Sequence, residues 1–270
     1  GERDDSHPVV IAGGPCTVNP EPVADFFDAM VVGDGESVTL EMADAWKAWK
    51  KEGIGDKHRL LRKWSKIKGV YVPSFFQPLY DGPDFKEIAP KFDDYPKVER
   101  AIIPNLENAS FPDTPIVPYG RPVHDRLRLE VARGCSRGCR FCQAGMIYRP
   151  VRERSVQQLM DLTETSIAAT GYDDISLLSL STGDYGCLTE LMQNLFSRYA
   201  RENIAISFPS FRAGTLSPEI MALVEKIRKT GFTIAPEAGS ERLRAVINKN
   251  ISEQEIFGTV STAFALGWRL

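Results

Sequence analysis

The sequence predicts an α/β protein whose C-terminal half forms part of a (β/α) TIM-like barrel. From about residue 125 onwards, apolar runs alternate with amphipathic helical patterns, and the loops between them are short. Such alternation predicts parallel strands joined by crossover helices. Two shorter apolar runs near the N-terminus, each closing on glycines, predict the last part of a Rossmann-like domain.

Residues 1–55 are predicted to be the C-terminal remnant of this Rossmann-like domain. Residues 8–12 and 29–32 are the two strand-like runs, and they end in Gly13-Gly14-Pro15 and Gly33-Asp34-Gly35. Two strands are too few to form a stable sheet alone. Since the chain also begins without a methionine, we expect it to be an internal fragment of a longer protein.

Residues 56–124 are predicted to form a connector that is first helical and then rich in proline and aromatic residues. The connector follows a helix that Ser37 is expected to cap. A strongly basic helix is predicted over 57–68, and we interpret its charges as a solvent-facing surface. Residues 70–73 and 98–103 are predicted to pair as a small hairpin-like sheet.

Residues 125–270 are predicted to contain four strand–helix units and one further helix. The predicted strands and their helices are 126–132 with 155–171, 175–180 with 188–201, 204–208 with 217–230, and 232–235 with 241–248. After a last helix over 252–266 the chain ends abruptly, so we expect an incomplete barrel. In parallel barrels, functional groups collect on the loops at the C-terminal ends of the strands.

The loop after the first of these strands carries a dense cysteine pattern. Three of the five cysteines, Cys135, Cys139 and Cys142, are spaced C-x3-C-x2-C among serine, arginine and glycine residues. Thiolates are soft ligands that suit zinc and iron–sulfur clusters. Three thiolates complete neither a tetrahedral zinc site nor a cubane with four irons. Either a fourth ligand comes from elsewhere, or one metal position is left open for a small molecule.

The composition excludes some classes of protein. The formal net charge of −3 argues against a protein that coats nucleic acid. No apolar run reaches the ~20 residues of a membrane span, and no signal peptide opens the chain. Clustered cysteines indicate metal binding in a reducing compartment, so we expect a cytoplasmic protein. Cys16 and Cys187 stand alone, and we predict both to be buried structural cysteines.

The cysteine loop resembles that of the radical S-adenosylmethionine (radical SAM) superfamily, C-x3-C-x-Φ-C, in which Φ is aromatic. Cys135, Cys139, Phe141 and Cys142 match this pattern, which also assigns Phe141 to the cofactor site. The resemblance implies a [4Fe–4S] cluster on the three cysteines, with one iron open to SAM. The reduced cluster would cleave SAM to a 5′-deoxyadenosyl radical, which abstracts a hydrogen atom from the substrate. The resemblance further implies an electron donor such as flavodoxin or ferredoxin, and no membrane partner.

The same resemblance implies which other residues contact SAM. Gly183 and Asp184 occupy the place of the family's GGE region, which binds the amino group of SAM. Ser210 and Arg212 are similar to polar residues that reach the carboxylate or the ribose, and arginine suits carboxylates. Glu237 resembles an acidic or amide residue after the fourth strand, which bonds a ribose hydroxyl or the amine of SAM.

The N-terminal segment is similar to the closing segment of cobalamin-binding domains that precede many radical SAM cores. The similarity covers roughly residues 8–50 and rests on Gly13-Gly14-Pro15, Asn19-Pro20-Glu21-Pro22 and Val31-Val32-Gly33-Asp34-Gly35-Glu36. The histidine motif that some of these domains use as an axial ligand is absent. The similarity implies a cobalamin-binding domain in the full-length protein and leaves open whether cobalamin is bound. Cobalamin-dependent methyl transfer and the modification of RNA or of a small molecule stay open as reactions.

A different class of function also accommodates the cysteines. Through zinc or a cluster, they could stabilise a nucleic-acid-binding module without radical chemistry. Its basic surface would consist of the arginines around the loop, which are Arg133, Arg137, Arg140, Arg149, Arg152 and Arg154. A cluster whose spectrum changes on adding SAM separates the two hypotheses. The sequence carries no signature that names the substrate.

Overall fold

The computed structural model describes residues 4, 6–53, 55–120, 122–207, 212–215, 219–220, 223 and 233–268. The chain forms two compact units, Gly1–Ile103 and Pro104–Leu270, and each has a hydrophobic core of its own. Within the described residues, no helix is long and apolar enough to cross a membrane.

The first unit is built on a three-stranded sheet. Its strands are β1 (Ile11–Ala12), β2 (Ala29–Val31) and β3 (Val70–Tyr71), in the order β1-β2-β3. β1 and β2 are parallel, as the two N-terminal apolar runs predict, whereas β3 is antiparallel to β2. All residues of β2 are buried, because this strand lies in the middle of the sheet.

The predicted pairing of residues 70–73 with 98–103 is wrong. β3 pairs with β2 instead, and the later segment contributes a single parallel bridge between Gly33 and Ala101. Gly33 has a φ of 108°, and an added Cβ there would lie 2.1 Å from the carbonyl oxygen of Ala101. The bridge therefore depends on a glycine beside β2, which the strand patterns of the two segments do not reveal.

The helix α1 (Glu36–Glu52) follows β2. It ends at Gly53, whose left-handed φ of 69° terminates the helix. The prediction that Ser37 caps α1 is wrong, because the helix already includes Glu36 and its N-cap residue is Gly35. A serine one residue further along the chain lies inside the first turn and therefore cannot serve as the cap.

The helix α2 (Lys57–Trp64) is shorter than the predicted basic helix. It begins after Asp56, whose carboxylate accepts from the amide of His58 at 2.8 Å. The indole nitrogen of Trp64 donates to the carbonyl oxygen of Met42 at 3.0 Å, which ties α2 to α1. The sheet, the helices and the segment after β3 share one core, which includes Met30, Trp49, Leu60, Trp64, Val72, Phe75 and Tyr95.

An antiparallel hairpin, which the sequence did not predict, completes the first unit. It consists of β4 (Phe76–Asp81) and β5 (Asp84–Pro90). Phe76 is buried and stacks on Tyr71 with a centroid distance of 4.8 Å, which anchors the start of the hairpin in the core. Pro78 lies within β4, and prolines inside a strand weaken the sequence signal for that strand.

The second unit contains a parallel sheet with crossover helices. Its elements are β6 (Leu127–Glu130), β7 (Ala132–Arg133), α3 (Ala144–Ile147), β8 (Arg152–Glu153), α4 (Val156–Thr170), β9 (Asp174–Leu178), α5 (Leu188–Tyr199), β10 (Ala205–Ser207), α6 (Glu241–Val246) and α7 (Glu253–Ala265). β6, β9 and β10 form a parallel sheet in the order β10-β9-β6. Consecutive strands joined by helices and paired in parallel confirm the predicted α/β fold.

The parallel sheet lies at the centre of the second core. Leu129 of β6 and both Ile175 and Leu177 of β9 are fully buried. They belong to one apolar cluster with Leu159 of α4 and Leu191 of α5. Helices therefore cover this sheet, and the loops after its strands project from a rigid base.

The helix starts in this unit follow their sequence signals. Ser155, Ser240 and Ser252 cap α4, α6 and α7, and each accepts from a backbone amide through its hydroxyl oxygen. α4 ends at Gly171, as predicted. α6 ends at Val246, two residues before its predicted end, and a turn of unusual backbone conformation follows.

Parts of the third and fourth predicted units lie outside the described residues. These parts are most of the helix predicted over 217–230, Phe208 at the end of the third strand and Phe232 at the start of the fourth. Ile234, from the fourth predicted strand, lies in an isolated β-bridge. The described sheet therefore contains the first three predicted strands of the barrel.

Candidate metal centre

The clustered cysteines lie on one loop, between β7 and α3, just after the sheet strand β6. β7 and β8 pair antiparallel, with Arg133 opposite Arg152, and close the base of the loop. Gly134 follows with a φ of 93°, and an added Cβ there would lie 2.5 Å from the carbonyl oxygen of Tyr148 and 2.6 Å from that of Pro150. The returning chain comes this close only because residue 134 is glycine.

Cys135, Cys139 and Cys142 are half-buried free thiols on this loop. The amide of Arg137 approaches the sulfur of Cys135 at 3.5 Å, and the amide of Cys142 donates to the carbonyl oxygen of Cys139 at 3.0 Å. The thiolate is the form in which cysteine binds metals. Half-burial leaves the sulfurs within reach of a metal. This donor set fits an iron–sulfur cluster.

The described residues contain no group of three histidine, cysteine, aspartate or glutamate side chains that surrounds one ion position. The three thiols are thus not gathered round a single point. In a cubane cluster each thiolate binds a different iron, and the ligands need not meet at one point. Cys135, Cys139 and Cys142 stay our predicted cluster ligands.

Arg137, between the first two cysteines, binds the loop after β9. Its Nε donates to Oδ2 of Asp184 at 2.7 Å, and its Nη2 donates to Oδ1 of the same carboxylate. Oδ2 also accepts from the hydroxyl of Ser181 at 2.8 Å. Burial raises the pKa of Asp184, but the hydrogen bonds from Arg137 and Ser181 and the charges of Arg137 and Arg212 outweigh burial and lower it. The ionised carboxylate therefore holds the cysteine loop against the loop after β9.

Gly183 lies where the loops after β9 and β10 meet. An added Cβ at Gly183 would lie 2.2 Å from Oγ1 and 2.7 Å from Cβ of Thr215. The hydroxyl of Thr215 donates to the carbonyl oxygen of Arg212 at 2.7 Å. The absence of a side chain at Gly183 thus allows the backbone that carries Arg212 to approach.

Arg212 is anchored through one nitrogen of its guanidinium group. Nη2 donates to the carbonyl oxygens of Lys249 and Asn250, the latter at 2.6 Å. Within the described part of the chain, Nε and Nη1 have no hydrogen-bond partner. Nε and Nη1 lie on opposite edges of the planar group, so either could donate separately to an anion such as a carboxylate.

Phe141 and Glu237 approach the same lysine. Nζ of Lys249 lies 3.2 Å from Oε1 of Glu237 and 5.8 Å from the ring centroid of Phe141. The side chain of Lys249 is only 15% exposed, whereas the ring residue Phe141 is 53% exposed. Glu237 has a φ of 68°, a left-handed value that residues other than glycine rarely adopt. The loop that carries Glu237 therefore reaches the cysteine motif through one partly buried cation.

The turn after α6 touches the cysteine loop directly. The amide nitrogen Nδ2 of Asn248 donates to the carbonyl oxygens of Gly138 at 2.9 Å and Arg137 at 3.2 Å. The backbone amide of Arg140 donates to the carbonyl oxygen of Ile247 at 2.9 Å. Sequence reasoning assigned Asn248 to the end of a helix and gave it no role. The one sequence signal that could have indicated this turn is an asparagine at a helix end, which favours a left-handed backbone.

The predicted SAM-binding residues make different contacts in the structure. Asp184 pairs with the cysteine loop, Phe141 and Glu237 share Lys249, and Arg212 binds the turn after α6. Ser210 lies outside the described residues. The contacts of these residues with SAM stay predictions.

Two expectations from the sequence are wrong, one about the lone cysteines and one about the arginines near the cysteine loop. Cys16 and Cys187 are both exposed, not buried: Cys16 lies in the short 3-10 helix Pro15–Val18, and Cys187 is the N-cap residue of α5. Arg154 is only 2% exposed and Arg152 only 7%, so neither contributes to a basic surface. The guanidinium group of Arg154 instead donates to the carbonyl oxygen of Leu106 inside the second unit.

Two family descriptions match the chain. The Radical SAM superfamily matches residues 129–270, and the N-terminal region of radical SAM proteins matches residues 1–73. An uncharacterized protein of Methanocaldococcus jannaschii is 33% identical over 266 residues, which are 98% of this chain and 51% of that protein. The chain thus spans about half the length of this curated relative.

Solved structures share the fold. One is the radical S-adenosylmethionine methyltransferase TsrM from Kitasatospora setae, with cobalamin and a [4Fe–4S] cluster bound. It has a TM-score of 0.62 and 16% identity, and the match covers 96% of this chain and 49% of that one. Another is the cobalamin-dependent S-adenosylmethionine radical enzyme OxsB with aqua-cobalamin and S-adenosylmethionine bound, with a TM-score of 0.61 and 17% identity. That match covers 97% of this chain and 35% of OxsB.

Proposed function

The chain belongs to the radical SAM superfamily, and we propose that it carries the cluster-binding and SAM-binding loops of a radical SAM enzyme. The observation that carries the proposal is the C-x3-C-x-Φ-C loop at the C-terminal end of the first parallel strand. Arg137, which lies in this loop, binds Asp184 on the loop after the neighbouring parallel strand β9. Cluster ligands and candidate SAM ligands therefore lie on adjoining loops of one sheet edge, where parallel barrels place their active sites.

Cys135, Cys139 and Cys142 would hold a [4Fe–4S] cluster and leave one iron for the amino and carboxylate groups of SAM. When bound, the cluster supplies the electron that cleaves SAM to methionine and a 5′-deoxyadenosyl radical for hydrogen abstraction. Arg212 would bind the carboxylate of SAM through a single nitrogen, Nη1 or Nε, since Nη2 is held by backbone carbonyls. Glu237 would accept from a ribose hydroxyl or from the amine of SAM.

The exposed ring of Phe141 would cover the cluster side of the site. Gly183 would leave room at the contact between the loops after β9 and β10. Asp184 would act on SAM only indirectly in this arrangement, because Arg137 engages both of its carboxylate oxygens. Ser210 stays a candidate ligand of the carboxylate or ribose on the sequence resemblance alone.

Cobalamin is a further proposed cofactor of the whole protein. The match of residues 1–73 to the N-terminal region of radical SAM proteins and the fold shared with TsrM and OxsB support it. Methyl transfer to a small molecule or RNA is then the reaction class we favour. We also propose a low-potential donor such as flavodoxin or ferredoxin, and a cytoplasmic location, because thiolate ligands and reduced clusters require reducing conditions.

The direct test is product formation. The protein, reconstituted anaerobically with iron and sulfide and reduced with dithionite, is incubated with SAM, and 5′-deoxyadenosine and methionine are quantified by chromatography. We expect both products from the wild type and neither from Cys139→Ala. A wild-type protein that holds its cluster and forms no 5′-deoxyadenosine would contradict the proposed cleavage.

A further inference from the structure

We propose that Asn248 is a positioning residue of the cysteine loop, and that the turn Ile247–Asn250 sets the distance between this loop and Arg212. The inference deepens the function proposed above and rests on it. No sequence motif assigned a role to this turn. Its contacts with separate loops of the second unit carry the inference.

The turn forms hydrogen bonds with the cysteine loop on both sides of Cys139. Nδ2 of Asn248 donates to the carbonyl oxygens of Gly138 and Arg137, at 2.9 and 3.2 Å. These two residues immediately precede Cys139. An added Cβ at Gly138 would lie 3.4 Å from Nδ2 of Asn248, so the turn and the cysteine loop are in close contact. On the other side of Cys139, the amide of Arg140 donates to the carbonyl oxygen of Ile247.

The same turn holds the loops that carry candidate SAM ligands. The guanidinium group of Arg212 donates to the carbonyl oxygens of Lys249 and Asn250. Nζ of Lys249 pairs with Glu237 at 3.2 Å. One short turn therefore contacts the cysteine loop, the loop after β10 and the loop that carries Glu237.

The backbone of the turn is held in an uncommon conformation. Asn248 has a φ of 56° and Asn250 a φ of 39°, and both values lie in the left-handed region. Such residues persist where the surrounding structure fixes them, and they concentrate at functional sites. Nδ2 of Asn250 donates to Oδ1 of Asn248 at 2.8 Å, which directs the nitrogen of Asn248 toward the cysteine loop.

The consequence concerns the binding of SAM more than that of the cluster. The cysteines hold the metal themselves, but SAM must reach the open iron and Arg212 at the same time. A shift of the loop relative to Arg212 misaligns these two contacts. Loss of the Asn248 amide should therefore weaken SAM binding and leave the cluster in place.

The test compares three variants of the reconstituted holoprotein. Asn248→Asp keeps a residue that tolerates left-handed backbone but cannot donate to the two carbonyls, and Asn248→Gly removes the side chain without adding charge. The matched control is Asn203→Asp, because Asn203 also has a φ of 56° but is exposed, far along the chain from the cysteine loop. The readouts are iron content and the SAM concentration that half-completes the change in the electron paramagnetic resonance spectrum of the reduced cluster.

We expect wild-type iron content in all variants. Both Asn248 variants should need about tenfold more SAM for the spectral change, as loss of one or two hydrogen bonds implies, whereas Asn203→Asp should match the wild type. Unchanged SAM dependence in both Asn248 variants would overturn the inference, as would loss of iron from both. If the spectrum of the wild-type cluster does not change when SAM is added, the proposed function itself is overturned.

Discussion

The pair of Arg137 and Asp184 shows how one side chain inside the cysteine motif contacts the next loop of the sheet. The two residues are 47 positions apart in sequence, and the forked contact uses both carboxylate oxygens. Asp184 therefore holds the cysteine loop against the loop after β9. A forked arginine–carboxylate contact fixes orientation as well as distance, so it defines how the loop sits against the residues after β9.

A double-mutant cycle with Arg137→Gln and Asp184→Asn should measure this pairing. Both side chains are partly exposed, so we expect a coupling energy of about 1 kcal/mol at pH 7 from urea unfolding of the two single variants and the double variant. Independent effects of the two substitutions, with no coupling, would mean that the ion pair does not hold the loop.

Gly183→Ala should destabilise the second unit. The new Cβ would overlap Thr215, whose hydroxyl and Cβ lie within 2.7 Å of it, so the loop that carries Arg212 must move. We expect a loss of about 1–3 kcal/mol in the free energy of unfolding, as for other overpacked sites. The control is Gly239→Ala, where no atom of the described residues lies within 4 Å of an added Cβ. Equal stability of the two variants would show that Thr215 accommodates the methyl group without strain.

Sequence reasoning proposed the candidate metal ligands more readily than it predicted the residues around them. Cys135, Cys139 and Cys142 are adjacent in sequence, so their spacing alone indicated a metal loop. The partner of Asp184 and the role of Asn248 depend on contacts between residues that are far apart in the chain. Periodicity and spacing describe neighbours along the chain, and only the folded sheet brings these residues together.

At the scale of elements, helix caps were predictable where a side chain makes the cap. The starts of α4 and α7 follow Ser155 and Ser252, whereas α1 begins after Gly35 without a side-chain cap, and the neighbouring Ser37 misled the prediction. Strand partners were less predictable. The parallel order of β6, β9 and β10 follows from the crossover helices, but nothing local indicated that β3 pairs with β2.

Ser252→Ala should destabilise α7. The hydroxyl of Ser252 accepts from the amide of Glu255, and the carboxylate of Glu255 accepts from the amide of Ser252. We expect a loss of about 1 kcal/mol from urea unfolding, as for other N-caps. Ser261→Ala, at an exposed serine inside the same helix, should be neutral or slightly stabilising. A neutral Ser252→Ala would show that the cap contributes nothing measurable.

The same cap predicts a dependence on pH. The hydrogen bonds from the amide and the hydroxyl of Ser252 lower the pKa of Glu255 below its unfolded value, which is about 4.3. A lowered folded pKa stabilises the fold above the unfolded pKa, and this contribution is lost as the pH falls through the folded pKa. The difference in unfolding free energy between wild type and Glu255→Gln should therefore be constant from about pH 8 to 5 and shrink below about pH 4. A difference that is unchanged at low pH would contradict this assignment.

At the scale of the whole molecule, the cysteine loop is separate from the packing that stabilises the second unit. The core of this unit is formed by residues such as Leu129, Ile175 and Leu177, which are fully buried, while the cysteines are half-buried on a loop. The fold therefore does not depend on a metal in the way that a zinc finger does. A structural metal is required for folding, whereas a catalytic cluster on a loop can be lost without unfolding the protein.

Cys139→Ala should lose the cluster and keep the fold. We expect little bound iron after reconstitution, with a circular dichroism spectrum and an unfolding midpoint close to those of the metal-free wild type. Cys139 is half-buried on a loop and is not among the residues that form the hydrophobic core of the second unit. Collapse of the helical signal in this variant would identify the metal as structural and favour the zinc-stabilised alternative.

The fold class and the family of the second unit follow from local features of the sequence, namely strand–helix alternation and one cysteine motif. The hairpin of β4 and β5 did not, because Pro78 interrupts its strand pattern. The chain covers about half of its curated relative. The central proposal for this chain is a cluster on Cys135, Cys139 and Cys142 with one iron open to SAM.

The measurement that tests this claim most directly is electron paramagnetic resonance of the reduced, reconstituted protein with and without SAM, together with iron and zinc analysis. We expect about four irons per chain and a cluster spectrum that changes when SAM is added, because one iron of the proposed cluster would lack a cysteine ligand. Bound zinc in place of iron, or a four-iron cluster whose spectrum is unchanged at saturating SAM, would contradict it.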